Sequence, residues 1–262
     1  MSDIKIMSFN IRVEADCDGI NHQKNRRSRI LATLQREAPD LVGFQEASDD
    51  ARAWLSSVLT EYTLVGCGRL ANYTGEGAPL AFRRDRFELI KLECFMLSDT
   101  PAIPGSRYED SDQSGCPRIA TAAVLKHRAS GECFLYINTH TDHVGVKARI
   151  LASRDLLAYI KKAGLPTLLT GDFNAEPDSE EIRMLADAMT DVTCGLSGTF
   201  HHFGRKEKGV PPDKIDYIFT TLPADPARAY AVADIPDGNG LYTSDHLPVV
   251  GFVALSGKEK ES

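Results

Sequence analysis

The sequence predicts an α/β protein in which two sheets pack face to face with helices outside. Three observations lead there. Strand-like runs outnumber helical ones, hairpin-like neighbours mix with strand–helix–strand crossovers, and no linker divides the 262 residues. A chain of this length can close one large core or two small ones, and the absence of a linker favours one domain over 1–262.

Ile4 to Val13 sets Ile4, Ile6 and Ser8 against Lys5, Met7 and Phe9, the period of a strand, and is apolar enough for a central one. From about Gln23 to Ala38, Ile30, Leu31, Leu34 and Ala38 recur at helical spacing, and Pro39 ends the helix. Leu41 to Phe44 is a short buried strand ending in Gln45-Glu46. A second helix runs from about Asp49 to Leu59, with Trp54, Leu55 and Val58 inward. Strand-like runs follow at Tyr62–Val65, Pro79–Phe82, Phe87–Leu97, Ile119–Leu125 and Cys133–Ile137. Val146 to Lys162 is the strongest helical segment, with Val146, Ile150, Ser153, Leu157 and Ile160 expected on its inner face. Leu165–Leu169 reads as a strand, Ser179–Ala186 as a helix, and Ile215–Phe219 and Val249–Leu255 as late strands. The stretch 98–117, rich in Pro, Gly, Ser and Asp, is a long loop of the kind that is functional or mobile. Residues 256–262 form a polar tail.

Composition narrows the function classes. Acidic residues exceed basic ones by seven, the opposite of the balance expected where Lys and Arg must neutralise long runs of phosphate. A local basic groove is compatible with that average, so nucleic acid is disfavoured as a partner and a small phosphorylated substrate preferred. No secretory signal and no membrane-length apolar run is present, so the expected location is cytoplasmic, without a membrane partner. The six cysteines are scattered without a C-x-x-C pair and read as reduced thiols rather than a zinc site.

Polar residues fall repeatedly at the ends of apolar strands. Asn10 lies in Ser8-Phe9-Asn10-Ile11, Glu46 follows Phe44-Gln45, and His140 follows Asn138-Thr139. Asp172 and Asn174 follow Leu169-Thr170-Gly171, Asp216 lies between Ile215 and Tyr217, and Asp245-His246 precede Leu247-Pro248. Burying one such group unpaired costs roughly 1–3 kcal/mol, and more for a charge. Alone, Glu46 reads as a helix N-terminal residue, Gly171–Asn174 as a turn, and Ser244-Asp245-His246 as a capping cluster. Together they make sense where strand ends converge on one site and the groups satisfy each other and a cation.

Taken in order, Ser8-Phe9-Asn10, Gln45-Glu46, Asn138-Thr139-His140, Gly171-Asp172-Phe173-Asn174, Ile215-Asp216-Tyr217 and Ser244-Asp245-His246 resemble the endonuclease/exonuclease/phosphatase superfamily from Ile4 to Val253. The resemblance implies a four-layer α/β/β/α sandwich of two mixed sheets with outer helices. It also implies a Mg²⁺- or Mn²⁺-dependent phosphoester hydrolase. Glu46 would be the direct metal ligand, with Asn10 and Asp245 beside it. Asp172 would orient or deprotonate the attacking water, while Asn174, His140 and His246 face the phosphate. Asp216 would pair with the far nitrogen of His246. Two weaker matches place Glu76 as the partner of His140 and Arg118 on the phosphate; they otherwise read as an exposed loop carboxylate and a strand-edge charge.

Arg12 stands where abasic-site endonucleases carry an aspartate, which makes the first strand deoxyribonuclease-like or phosphatase-like with fewer metal ligands. Phe95–Pro101, with Met96 where an aromatic is common, and Thr199–Phe203 are similar to small bacterial members. His201 and His202 read equally as pocket residues or surface histidines. The expected activity is hydrolysis of a small phosphomonoester or phosphodiester by in-line attack of water; a Mg-dependent nuclease is the alternative, and a non-catalytic binding module a remoter one.

Overall fold

A computed structural model describes residues 3–205 and 210–255. The tail expected over 256–262 lies outside them. Two six-stranded mixed sheets stack face to face. In the first, β1 (Asp3–Asn10) and β2 (Leu41–Gln45) are parallel neighbours. They are flanked by β3 (Tyr62–Val65), β4 (Leu80–Arg83), β11 (Tyr230–Ala231) and β12 (Val249–Ala254), in the order β11-β12-β1-β2-β4-β3. In the second, β7 (Cys133–His140) and β8 (Thr167–Asp172) are the parallel pair. With β5 (Phe87–Met96), β6 (Ile119–His127), β9 (Thr190–Asp191) and β10 (Asp216–Thr220), the order is β5-β6-β7-β8-β10-β9.

Each parallel pair needs a crossover, and a helix supplies it: α1 (Gln23–Glu37) for the first and α3 (Val146–Ala163) for the second. Helices α1 and α2 (Asp49–Val58) cover Met7, Phe9, Val42 and Phe44. Helices α3 and α4 (Glu180–Ala188) cover Leu135, Ile137, Leu169, Tyr217 and Phe219. Between the sheets lie Ile4, Ile6, Leu41, Phe134, Tyr136, Leu168 and Ile218. The four-layer α/β/β/α sandwich is therefore what the chain adopts.

Boundaries follow local chemistry. Helix α1 stops at Ala38, which turns left-handed (φ 43°) ahead of Pro39. Ser48 caps α2 by accepting from Ala51 N. The inner face of α3 matches the expected one at Ser153, Leu157 and Ile160 and departs from it toward its start. Ala148, Ala152, Ser153 and Leu156 are buried, whereas Val146 is 50 % exposed. Alanines let the helix lie close to the sheet, and α4 takes one flank through Arg149 Nε and Glu181 Oε1 at 2.6 Å. The two-residue strands β9 and β11 carry too little pattern to be read in advance.

The inter-sheet layer positions the site because it changes character along its length. Side chains of one parity face inward on each central strand, running Ile4, Ile6, Ser8, Asn10 on β1 and Phe134, Tyr136, Asn138, His140 on β7. Strand β8 repeats the trend with Leu168, Thr170 and Asp172, and antiparallel β10 with Thr220, Ile218 and Asp216. One end is hydrocarbon. The other is polar, and there the sheets are joined by side chains: Gln45 Nε2 donates to Asn138 Oδ1 (2.7 Å) and Ser8 Oγ (3.1 Å), and Thr170 Oγ1 donates to Asn138 Oδ1 (3.0 Å). Asn138 Nδ2 donates to the carbonyls of Phe44 and Pro79. Gly43 is required at this crossing, since a Cβ would overlap Thr170 Oγ1 and Asn138 Oδ1.

Candidate active site

Above this network the polar strand ends line a cleft of about 350 Å³. Asn10 bridges the two sheets at its floor, with Nδ2 2.9 Å from Asp172 Oδ2 and 3.0 Å from Glu46 Oε1. Its own Oδ1 accepts from Arg12 N. Glu46 sits just past β2 in a left-handed conformation (φ 59°), and Asn174, two residues past β8, is left-handed as well (φ 49°). Such backbone costs of order 1–3 kcal/mol at a non-glycine residue and persists where surrounding contacts over-determine it.

The two carboxylates are shifted in opposite directions. Burial pushes Glu46 upward, but Arg12, the Val13 N–H (2.8 Å) and His246 overcome this and hold it below the ordinary carboxylate range. Burial and the charge of Asp216 raise Asp172 to about 7. Arg12 reaches Asp18 at 3.0 Å, Asp245 at 3.6 Å and Glu46 at 3.9 Å, so the position that lacks an acid carries a guanidinium among acids.

His246 Nδ1 lies 2.8 Å from Asp216 Oδ2, and its Nε2 faces Asp172 Oδ2 at 3.7 Å. Burial opposes protonation there, yet Asp216 and Asp172 raise the imidazole to about 10, which makes it an imidazolium at neutral pH. Thr199 Oγ1 accepts from the amides of Ile215 and Asp216 and fixes the start of β10. His140 is the opposite case. Burial and the charges of Arg118 and Arg69 hold it well below its usual value, and Asn174 Nδ2 donates to the bare Nε2 at 2.9 Å.

The structure brings Asn10, Glu46, His140, Asp172, Asn174, Asp216, Asp245 and His246 to this one place, and Glu76 and Arg118 to its wall. The expected Glu76–His140 pair does not form. Arg69 lies within the same ribbon as Glu76, joined to it by Arg69 N→Glu76 O, and its Nη2 takes the Glu76 carboxylate at 2.6 Å. Arg118 is buried between Asp142 (3.4 Å) and His143 (2.8 Å), with Nη1 lacking a protein acceptor among the described residues. The adjacent histidines separate. His202 lines the cleft and stacks on Phe200 at 5.6 Å, while His201 turns away against Tyr242. Arg69 and His143 were missed, since a single loop residue carries no signal of its own, while Gln45, Asn138 and Thr199 stood in the quoted segments without a role, because their partners lie on other strands. A second concavity of about 240 Å³, between α1 and α2, is lined by Leu31, Leu34, Val58 and Tyr62 and holds no such constellation.

Glu46, Asp172 and His246 each present an atom within 4.8 Å of the others. As His246 is protonated, the donors open to a cation are oxygens, led by the ionised Glu46, and oxygen-rich sites suit hard divalent ions. The residues therefore fit a divalent cation held at Glu46 with Asp172 facing it.

A sandwich carrying this constellation across its sheets defines a class of hydrolytic enzymes, those acting on phosphate esters. Residues 7–246 match the Endonuclease/Exonuclease/phosphatase family, and the chain belongs to it. It is similar to a family member from Bacteroides vulgatus, with 31% identity, 98% of this chain and 100% of that one covered, and a TM-score of 0.85. The mannosyl-6-phosphatase Bt3783 of Bacteroides thetaiotaomicron VPI-5482 is 26% identical over 96% of this chain and 100% of that one, also at 0.85. Drosophila melanogaster Nocturnin is 25% identical over 87% of this chain, which spans 41% of that protein. No helix among the described residues is long and apolar enough to cross a membrane.

Proposed function

We propose that this protein hydrolyses a small phosphorylated substrate in the presence of Mg²⁺ or Mn²⁺. The carrying observation is geometric: Glu46, Asp172 and His246, from separate strand ends, each present an atom within 4.8 Å of the others, and Asp216 backs the His246 ring at 2.8 Å. A bound divalent ion would neutralise non-bridging oxygens and polarise the ester. Asp172, with a pKa matched to neutral pH, takes a proton from water as it attacks in line. His246 donates through Nε2 to the phosphoryl oxygens as charge grows there, its charge and ring orientation held by Asp216 at Nδ1. Asn174 and Arg118 orient the phosphate, and the alcohol departs with a proton from solvent. A concave cleft of about 350 Å³ is of small-ligand size, and the likeness to a mannosyl-6-phosphatase over nearly whole chains supports a phosphorylated sugar among the candidates.

The test is a parallel screen with Mn²⁺. It would include sugar phosphates, p-nitrophenyl phosphate, its bis-ester and single-stranded nucleic acid, with Asp172→Asn protein as blank. Turnover of a small ester that vanishes with chelator is expected. Cleavage of nucleic acid alone would replace this reading with a nuclease, and tight binding without turnover would make the protein a binding module.

A further inference from the structure

We propose that Arg26 on α1 is a positioning residue that sets the reactive geometry of the site by tying together the two chain segments that carry Asn10–Arg12 and Asp245–His246. Its side chain is wholly buried, yet no carboxylate lies within ion-pair distance among the described residues. Its donors go to backbone carbonyls instead: Nε to Asn21 O (2.6 Å), Nη1 to Ile11 O (2.7 Å) and Thr243 O (2.9 Å), and Nη2 to Arg12 O (2.9 Å).

Ile11 and Thr243 are more than two hundred residues apart in sequence and share one guanidinium nitrogen. Because the guanidinium is planar with donors at fixed angles, the carbonyls it holds are registered to one another and not merely satisfied. An apolar side chain would fill the same space without desolvating a charge. The choice of arginine therefore points to the carbonyl geometry itself.

Both tied segments lead directly into the site. Arg12 is left-handed (φ 55°), and with its carbonyl held by Arg26 its side chain reaches Glu46 and Asp245. Thr243 precedes Ser244, whose hydroxyl donates to Asn10 O at 2.7 Å, and then Asp245 and His246. The flat guanidinium also lies 5.7 Å from the ring of Phe203, another left-handed residue, next to the cleft-lining His202. The groups attached to the second sheet, Asn174, His140 and Arg118, form no hydrogen bond or ion pair with Arg26 among the described residues.

That division sets the expected result. An Arg26→Lys ammonium cannot reach carbonyls spread around a plane. The segments bearing Arg12 and His246 then drift while the phosphate-facing groups of the second sheet stay. Since a displacement of about 1 Å can cost on the order of 10² in rate, kcat should fall roughly ten- to hundredfold with KM within about threefold. Leu156→Ala in the α3 core, a comparison of similar thermal destabilisation, should keep kcat within about twofold of wild type. Amide exchange gives a readout free of turnover: 11–13 and 243–245 should exchange faster together in Arg26→Lys and stay protected in Leu156→Ala. In the wild-type protein the same two stretches should open in one cooperative step with the start of α1, which tests the idea even where the lysine variant does not fold. A kcat no lower than that of Leu156→Ala, or independent opening of the two stretches, overturns the proposal. The kinetic arm rests on the hydrolase reading. Absence of wild-type turnover would remove that reading, while exchange still decides the role of Arg26.

Discussion

The two halves of the sandwich repeat one plan and use it differently. In the first, β1–α1–β2 is a parallel pair flanked by antiparallel β12 and β4; in the second, β7–α3–β8 is flanked by β6 and β10. Asn10 and His140 end the first strand of each pair; Asp172 ends the second strand beside His140, whereas Gln45 pairs with Asn10 and Glu46 comes one residue later, on left-handed backbone. At these two strand ends, burial disfavours ionisation of both carboxylates. Arg12 and a backbone N–H reverse that for Glu46, whereas Asp216 reinforces it for Asp172. Under the proposed function, these two strand-end carboxylates would serve as a cation-holding acid and a proton acceptor, their different neighbours shifting them in opposite directions.

The comparison breaks most visibly at Asp172. Exchange for Asn should lower turnover by a factor on the order of 10² to 10⁴ while leaving the fold, read by circular dichroism, unchanged. Turnover near wild type would mean that the second half does not supply the base. Glu46→Gln should act through the ion: loss of several kcal/mol of charge stabilisation corresponds to about 10² to 10³ in rate. Titration with Mn²⁺ should show a half-saturation shift larger than in Asp172→Asn, and equal shifts would erase the distinction between the two acids.

Asp216→Asn tests how the halves are joined. A hydrogen bond to a charged group contributes roughly 1.5–3 kcal/mol, so a ten- to hundredfold loss of kcat is expected. The same pair gives a pH signature in chelated protein. His246 is raised in the folded state from 6.5 to about 10, so its stabilisation is complete below pH 6.5 and disappears as pH rises toward 10. Melting temperature should decline over that window in wild type and decline less in Asp216→Asn; parallel curves would show that the pair does not carry the charge. The smallest effect belongs to the seam. Gly43→Ala crowds Thr170 and Asn138 and should cost about 1–3 kcal/mol in urea denaturation.

Much of the site was legible because strand periodicity and site chemistry coincide. A charged or amide residue ending an apolar run is visible without coordinates, and Asn10, Glu46, His140, Asp172, Asp216 and His246 all show themselves this way. Glu76 was legible as a residue but not as a pair, because its partner Arg69 depends on how a ribbon folds back. His201 and His202 were indistinguishable neighbours until left-handed backbone at His202 and Phe203 sent them to different sides. The α3 face was read only in part: Ser153 is buried and Leu157 and Ile160 pack against the core as expected, but Val146 is exposed and Ala148 and Ala152 were passed over because alanine scores weakly in an apolar pattern yet packs closest.

By itself, then, the chain's pattern of alternating apolar and polar residues determined the layers, most element positions and the inventory of reactive groups, since each depends on residues near one another in sequence. Which carboxylate is shifted down and which up, which histidine gains a proton more readily, and how Arg26 joins positions 11 and 243 were decided only in three dimensions. Burial and Coulomb energy depend on distances between groups from different strands, and those distances exist only once the sheets have closed on each other.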